Sequence, residues 1–457
     1  MDHVVNKGRD VRVKPIVLGR PVVDGTQVTI PVDPGSAARW FRQNVFRVEY
    51  SGLDNLDTVD DAILVVPALG TVLTIAYACG VPVEVERVDG AYAAAAQELA
   101  DTFSTLYPHF LGRNFELRGD RVGTPEPDPR RPEAALLLFS GGADSTSSLI
   151  EHSDDVRALL TVWGADVNSA DKALWEELRR TVRDNELTAG RPLVVARSNL
   201  QDLIDGPALS RHHAHYLNSA TWWGAVQHGL ALTSLAVPVA VALGLPRVLI
   251  ASSDMAGTSV PWGSMPVIED KVRWSGGRAE NDQPDMSRTE KITRMVAPYL
   301  RDGGRLTLAV CYQPSRGPGQ LNCGRCEKCM QTTTQLLLGG VDPGQAGMPT
   351  SPEMFAAAKR ALIRGDWHGD DSHRTIWRSL QADVPPTFTG VCAVPRFRDY
   401  LEWLRHAEIV IGSDGAEPLV RRMIQDAQYL GGRLLPWLPF RFRKRCTQLA
   451  ARLTGGG

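Results

Sequence analysis

The chain has 457 residues, of which 43% are hydrophobic and 22% charged, and its formal net charge is −2. This length is enough for more than one globular domain, and a net charge near zero gives no general reason to expect nucleic-acid binding. The first ten residues are polar and lack the apolar core of a secretion signal, so we expect a cytoplasmic protein.

Residues 1–123 are predicted to form a small N-terminal α+β domain. Turn-rich sequence with β-branched and aromatic residues indicates strands, and apolar periodicity indicates helices. In chain order, the predicted elements are strands at 23–32, 45–50 and 62–67, a helix at 69–79, a strand at 81–88 and a helix at 92–107. Residues 124–133, TPEPDPRRPE, contain four prolines and predict a linker.

Residues 134–340 are predicted to form an α/β domain with a parallel sheet covered by helices on both faces. Its predicted elements are strands at 134–139, 158–162, 193–196 and 248–251, with helices at 146–152, 170–187, in a long region up to 243, and at 331–338. Ligands of such sheets bind beyond the carboxyl ends of the strands. The apolar stretch 230–251 includes two prolines and an arginine, so it predicts a buried helix and strand and no membrane span.

Residues 341–457 are predicted to form a C-terminal helical region with a basic tail. Residues 393–410, AVPRFRDYLEWLRHAEIV, form an amphipathic helix candidate. Residues 433–453, RLLPWLPFRFRKRCTQLAARL, carry six basic residues, no acid and interspersed aromatic residues. Four interpretations of this tail stay open: a nucleic-acid contact, a helix on a membrane surface, a docking segment for a protein partner, or a solvated tail without a partner.

The segment FSGGADSTSS, residues 139–148, places a glycine-rich turn between a strand and a helix. Backbone N–H groups and a helix N-terminus then converge on one point, which suits a phosphate or pyrophosphate. The segment lacks the lysine of a P-loop and the G-x-G-x-x-G spacing of a dinucleotide fingerprint, so another kind of anion site is predicted. The alternative is a tight turn capped by Asp144 or Ser145 at the helix start.

The motif S-G-G-x-D-S at residues 140–145 resembles the signature of the PP-loop ATP pyrophosphatases at every fixed position. The resemblance implies an adenine-nucleotide α-hydrolase-like (HUP) fold, in which ATP is split between its α- and β-phosphates and AMP becomes attached to a substrate oxygen. Backbone amides and serine hydroxyls would hold the pyrophosphate, Asp144 and Ser145 would be catalytic, and Asp144 would help to hold Mg²⁺. The loop residues so implicated are Ser140, Gly141, Gly142, Ala143, Asp144 and Ser145.

The segment VWGADV, residues 162–167, follows the second strand of this region. Relatives in the superfamily contact the adenosine at this point, so the resemblance makes Trp163, Gly164 and Asp166 candidates for the nucleotide site. Asp166 has an alternative role as the cap of the helix that begins nearby.

Four of the seven cysteines crowd into one segment with the spacing C-x11-C-x2-C-x2-C. Thiolates bind soft and borderline metals strongly, so these four predict a tetrahedral zinc site. Chance clustering, redox cysteines and an iron–sulfur cluster are the alternatives. The predicted ligands are Cys311, Cys323, Cys326 and Cys329; the others are Cys79, Cys392 and Cys446.

A PP-loop followed by such a cysteine cluster resembles the 7-cyano-7-deazaguanine synthases, over roughly residues 134–340. The resemblance implies adenylation of a carboxylate, which ammonia then converts through an amide to a nitrile. Those synthases are about half this length, and the loop after their fourth strand is replaced here by DMAGTSVPWGSMPVIEDKVRW. The substrate therefore stays open: another small carboxylate, a protein or a nucleic acid could be the acceptor.

Weaker candidates lie outside the two motifs. His213 and His215 could shuttle protons during ammonia addition, and Arg211 could hold a carboxylate or phosphate; a polar helix entrance with half-exposed histidines is the alternative. Asp254 and Lys271 flank the loop expected over the strand ends and are substrate-pocket candidates by position, or else surface ion-pair partners.

These features together predict an ATP-dependent C–N ligase-like synthase that uses ATP, Mg²⁺ and Zn²⁺, forms AMP and pyrophosphate, and joins a small carboxylate to a nitrogen donor. A homodimer is expected by analogy with the superfamily. One alternative is sulfur transfer, as in PP-loop thiolation enzymes, which requires a reactive cysteine outside the metal site. The other is a non-catalytic nucleotide-binding scaffold.

Overall fold

The structure, a computed structural model, describes residues 13–123, 132–165, 171–217, 220–253, 261–311, 320–367 and 371–409. Within this part of the chain the strands are β1 (Ile16–Leu18), β2 (Val22–Asp24), β3 (Gln27–Asp33), β4 (Val45–Ser51), β5 (Val83–Asp89), β6 (Leu117–Val122), β7 (Ala135–Leu138), β8 (Val156–Trp163), β9 (Leu193–Ser198), β10 (Arg247–Ala251), β11 (Arg273–Trp274) and β12 (Gly277–Asp282).

The α-helices in the same residues are α1 (Asp61–Leu64), α2 (Val66–Cys79), α3 (Gly90–Leu106), α4 (Ala143–Glu151), α5 (Lys172–Asp184), α6 (Gly206–His212), α7 (His228–Ala242), α8 (Pro266–Glu269), α9 (Arg288–Lys291), α10 (Ala297–Arg301), α11 (Glu327–Leu338), α12 (Pro352–Arg364), α13 (Asp371–Ala382) and α14 (Pro395–His406). A π-helical turn at Trp223–Gln227 precedes α7, and another at Ile292–Val296 joins α9 to α10.

The described strands form one sheet in an α/β fold, and its order is β11-β12-β10-β7-β8-β9-β4-β3-β1-β5-β6, with β2 paired to β3. The pairs β10–β12, β10–β7, β7–β8 and β8–β9 are all parallel. Numbered by their order along the chain, these five strands run 3-2-1-4-5, which is Rossmann-like, and the order reverses beside β7. The crevice at the carboxyl end of β7 is therefore the expected ligand site.

Apolar sequence explains why β7 and α7 lie at the centre. All four residues of β7 are buried, as expected for a parallel strand covered on both faces. The helix Trp223–Ala242 is long and apolar enough to cross a membrane, since an 18-residue stretch of it has a mean hydropathy of 1.5, but 83% of that stretch is buried inside the protein. That burial is typical of a core helix, and β10 follows it as the sequence predicts.

The N-terminal region continues the sheet, where the sequence predicted a separate domain. Strand β4 pairs antiparallel with β9, with Val48 opposite Ser198 and Tyr50 opposite Ala196. The Tyr50 hydroxyl also donates to the backbone oxygen of Leu235 in α7, at 2.8 Å. One compact unit thus holds the described residues up to 358, together with 378–406, and a second holds the described residues within 359–377 and 407–409. The regions before and after residues 124–133 share one hydrophobic core, because residues of both pack in the same cluster with α2 and α7.

The strand predicted at 62–67 is wrong, because these residues are helical. Asp60 accepts a hydrogen bond from the Ala62 N–H at 2.9 Å and caps α1, and α2 continues from Val66. Both helices are buried on nearly every side, so the sequence shows a continuous apolar run without helical periodicity. Such a run does not distinguish a buried helix from a buried strand.

We predict that the two sides of the linker unfold together. The hydroxyls of Tyr92 in α3 and Ser234 in α7 lie 2.8 Å apart in the core. Tyr92→Phe and Ser234→Ala should each cost about 1 kcal/mol, and a double-mutant cycle in urea should give a coupling of roughly 0.5–1.5 kcal/mol. A control cycle of Tyr92→Phe with Thr105→Ala, whose hydroxyl bonds locally to Asp101, should be additive. Zero coupling in the first cycle would instead indicate independent domains.

Candidate nucleotide and metal sites

The loop at residues 140–142 leaves the central strand at the reversal of the sheet and opens helix α4. Its start is fixed because Phe139 donates to the backbone oxygen of Leu160 at 2.8 Å and accepts from the Thr161 hydroxyl at 2.7 Å. Gly141 has φ +74°, a left-handed conformation that favours glycine, and Ala309 donates to its backbone oxygen at 2.8 Å. The glycine at 141 is therefore required by the turn itself.

Helix α4 begins at Ala143, three residues before the predicted start, and Gly142 at its N-cap supplies no side-chain cap. Ser140 and Ser145 lie beside each other, with their Oγ atoms 3.4 Å apart, and Ser145 accepts from the Ser140 N–H at 3.3 Å. The Ser140 hydroxyl accepts from the Gly142 N–H at 3.3 Å. Both serine hydroxyls and the first amides of α4 are thus held together at a helix N-terminus, which favours an anion.

Asp144 forms a two-pronged ion pair with Arg288 of α9. Arg288 donates from Nε to Oδ1 at 3.2 Å and from Nη2 to Oδ2 at 2.7 Å, and both side chains are largely buried. Burial acts to raise the pKa of the Asp144 carboxyl, but the charge and hydrogen bonds of Arg288, with the charges of Lys291 and Lys328, outweigh it and lower the pKa. Asp144 is therefore ionised at neutral pH and lies among three cations.

A small cavity of about 30 Å³, roughly water-sized, adjoins this ion pair. Its walls are the loop, the first turn of α4, Arg288, two residues of α11, and the segment before Cys311. The Thr332 hydroxyl of α11 is buried and has no hydrogen-bond partner among the described residues. The wall residues are Ser140, Gly142, Ala143, Asp144, Ser145, Arg288, Ala309, Val310, Lys328 and Thr332. Hydroxyls, helix amides and cations on one cavity are a set suited to phosphate.

Three of these groups were missed by the sequence analysis: Arg288, Lys328 and Thr332. A signal for Arg288 exists, because S-R-T-E at 287–290 is a capping box that marks a helix start, and both of its reciprocal hydrogen bonds are present. Lys328 and Thr332 lie on α11, the helix that the cysteine segment opens. Nothing in the spacing of the cysteines shows that this helix faces the loop.

Gly164 and Trp163 lie at the carboxyl end of β8, next to β7. Gly164 has φ +103°, and a Cβ there would lie 2.4 Å from the backbone oxygen of Ser198, so only glycine fits. Trp163 stacks on Trp175 of α5 with a centroid distance of 5.0 Å, and the Arg197 guanidinium lies over its ring at 4.7 Å. Asp166 lies outside the described residues.

The four cysteines predicted as ligands come together. All four Sγ atoms lie within 4.8 Å of one another, with Cys311–Cys326 at 3.8 Å and Cys323–Cys329 at 3.9 Å. Tetrahedral zinc–thiolate bonds of about 2.3 Å would set sulfurs about 3.8 Å apart. The N–H of Cys326 donates to the Cys323 sulfur at 3.2 Å. The group could therefore hold a metal ion.

The cysteine group adjoins the anion cavity through both of its chain segments. Residues 309 and 310 precede Cys311 and line the cavity, while Cys326 caps α11, which carries Lys328 and Thr332. Asn322 accepts from the Val310 N–H at 3.0 Å and donates to the backbone oxygen of Leu308 at 2.7 Å. The two predicted sites are therefore neighbours.

The weaker candidates that the structure describes do not line this cavity. His213 is buried beside Trp40, Phe110 and Trp222, and its Nδ1 lies 2.9 Å from Nε2 of His109. Arg211 lies in the last turn of α6, and His215 is exposed. Lys271 donates to the Thr102 hydroxyl of α3 at 2.6 Å. Asp254, Cys446 and the basic tail lie outside the described residues.

Fold and site together define an α/β protein with a Rossmann-like sheet, an anion-binding geometry at the end of its central strand, and a four-cysteine group beside it. Comparisons with protein-family models, with curated proteins and with solved structures find no match to the chain. What the chain does has to follow from the chemistry of its own residues.

We predict that Cys326→Ser lowers the metal content of the purified protein and its thermal stability, because a serine oxygen is a poor replacement for a thiolate. Elemental analysis and a melting curve would measure both. Cys79→Ser is the matched control, since Cys79 lies outside the group, and it should leave the metal content unchanged. Equal metal content in the two variants would contradict a four-cysteine metal site.

We predict an acid-dependent loss of stability from His213. Burial, followed by the charges of His109, His212 and Arg39, lowers its pKa from 6.5 to about 4. The unfolded chain binds the proton at higher pH than the folded chain, so stability falls as pH drops from about 6.5 towards 4. The loss of melting temperature between pH 7 and pH 5 should be smaller in His213→Asn. His215→Asn, a change at an exposed histidine, should lose as much melting temperature between pH 7 and pH 5 as the wild type. An equal loss in all three proteins would show that His213 is not the cause of the acid sensitivity.

Proposed function

We propose that the chain is a PP-loop ATP pyrophosphatase of the HUP class that adenylates a substrate oxygen and lets a nitrogen nucleophile displace AMP. The observation that carries the proposal is the position of the S-G-G-x-D-S loop. It begins at the end of β7, where the strand order reverses, and it opens a helix whose N-terminus faces Arg288 and Lys328. This position is the general ligand site of such sheets.

The loop residues suit stabilisation of a leaving pyrophosphate. The amides at the start of α4 and the hydroxyls of Ser140 and Ser145 donate to phosphate oxygens, and no backbone reorganisation is needed because the loop is already formed. Arg288 and Lys328 neutralise negative charge that grows on the leaving group as the α–β bond breaks. Thr332, whose buried hydroxyl faces the same cavity, supplies a further donor.

Asp144 suits a nucleotide-bound Mg²⁺ best after Arg288 moves, because the guanidinium that both carboxylate oxygens accept from would repel the cation. Magnesium is commonly held by one or two carboxylates together with substrate phosphates, and it neutralises phosphate charge there. We infer that Arg288 passes from Asp144 to a phosphate when ATP binds. The carboxylate is then released to the cation while the guanidinium keeps an anionic partner.

The cysteine group suits a structural zinc ion, because four thiolates close the coordination shell and leave no position for substrate. The ion would anchor the first turn of α11. Lys328 and Thr332 of that helix would then be held beside the loop. Zinc in the proposed enzyme therefore acts through position and takes no part in the bond changes.

Among the described residues, the two cysteines outside the metal group favour a nitrogen nucleophile over sulfur transfer. Burial raises the pKa of the Cys79 thiol and that of the Cys392 thiol, which is buried and donates to the backbone oxygen of Leu337. A thiolate is needed to carry persulfide sulfur, so neither thiol suits that role. We therefore propose amide or nitrile formation on a small carboxylate, with the 7-carboxy-7-deazaguanine type as the first substrate to test.

The test is product analysis with Mg-ATP, ammonia and a panel of carboxylates that begins with 7-carboxy-7-deazaguanine. We expect AMP and pyrophosphate in amounts that depend on the carboxylate, and a loss of at least about 100-fold in rate for Asp144→Asn and for Arg288→Ala. Asp120→Asn, a change at an exposed carboxylate on β6, should keep the full rate.

Formation of ADP would overturn the PP-loop assignment, because that product requires cleavage between the β- and γ-phosphates. Nucleotide binding without turnover of any carboxylate, amine or macromolecular acceptor would favour the scaffold alternative. Full activity in Asp144→Asn would remove this loop from the reaction.

A further inference from the structure

A second group of metal-ligating side chains lies at the far end of α4 from the loop. Glu151 ends this helix, His152 follows it, and Asp282 ends β12. One ligand atom from each lies within 4.8 Å of the other two, and His152 Nε2 is 2.8 Å from Asp282 Oδ1. These residues belong neither to the cavity wall nor to the cysteine group.

Two buried oxygens beside this group accept no hydrogen bond from any described residue: Asp282 Oδ2 and Gln283 Oε1. Gln283 is only 9% exposed, and its side-chain amide donates to Glu151, which holds that carboxylate beside the other two groups. A buried carboxylate oxygen without a donor costs free energy unless a cation or water meets it. The arrangement therefore has an acceptor in excess, as a metal site does.

We propose that Glu151, His152 and Asp282 form a second metal site, selective for a divalent first-row transition ion such as Zn²⁺. One imidazole nitrogen and two carboxylates suit such ions better than Mg²⁺ or Ca²⁺, which prefer oxygen alone. On binding, the ion takes the place of the hydrogen bond between His152 Nε2 and Asp282 Oδ1, and the imidazole proton lies on Nδ1. Exposed Glu151 leaves a route from solvent.

The site would join two elements that the chain separates by more than a hundred residues. Helix α4 begins at the 140–142 loop, and β12 is the neighbour of β10 in the sheet. An ion between the end of α4 and the end of β12 would fix the helix at the end opposite the loop. This proposal does not depend on the ATP chemistry, because it rests on different residues.

The test is the stoichiometry of Zn²⁺ bound to the full-length chain, with the metal first removed and then titrated back. We expect two equivalents in the wild type and one in the double variant His152→Ala with Asp282→Asn. Co²⁺ distinguishes the two sites, since thiolate ligands give charge-transfer absorption and nitrogen and oxygen ligands do not. The equivalent lost in the double variant should lack that absorption.

Asp154→Asn is the matched control, because Asp154 is an exposed carboxylate close to the cluster in sequence, and it should retain two equivalents. Since the double variant also loses an ion pair, single Glu151→Gln is measured as well; it should weaken the second equivalent by about tenfold or more with an unchanged metal-free melting curve. One equivalent in the wild type, or two in the double variant, would overturn the proposal.

Discussion

The arrangement of the candidate site depends on one ion pair, between Asp144 on the first turn of α4 and Arg288. A carboxylate near a helix N-terminus is already favoured by the dipole, and three cations around it leave an excess of positive charge. The pair keeps Arg288 buried beside the loop, where both carboxylate oxygens of Asp144 accept from it. In the proposed function, a phosphate would offer that guanidinium a more highly charged partner, so the pair that holds Arg288 beside the loop would also prepare the loop for an anion.

The cysteine group also helps to build the candidate site. It lies at the start of α11, the helix that brings Lys328 and Thr332 to the same cavity. The described residues 306–311 and 320–326 form no helix or strand, so backbone hydrogen bonds of regular structure do not fix their shape. Asn322 fixes one part by bonding to Val310 and Leu308, and four sulfurs within bonding distance of one ion would fix the rest. In the proposed function, metal binding and the geometry of the anion site would therefore be coupled through α11.

Sequence patterns predicted the elements around β7 well. Buried parallel strands are short apolar runs, and the helices that cover them are typically amphipathic, so the two patterns are easy to tell apart. Strands β8, β9 and β10 and the cysteine cluster all match the predictions. Helix α1 and the start of α2 were mistaken for a strand because burial on all sides erases periodicity. The sequence analysis missed Arg288 because its partner Asp144 is 144 residues away, and only the fold brings residues so far apart together.

The N-terminal region shows the same limit at the level of domains. A proline-rich stretch indicates a break in regular structure, but it does not show whether the segments on either side pack together. Here β4 pairs with β9 and so covers an edge that would otherwise present unpaired N–H and C=O groups. Tyr50 adds a bond to α7, the apolar helix that supports β7 and β10. Residues 13–123 therefore complete the sheet on which the loop is built, and the position of the loop depends on them although none of these described residues lines the cavity.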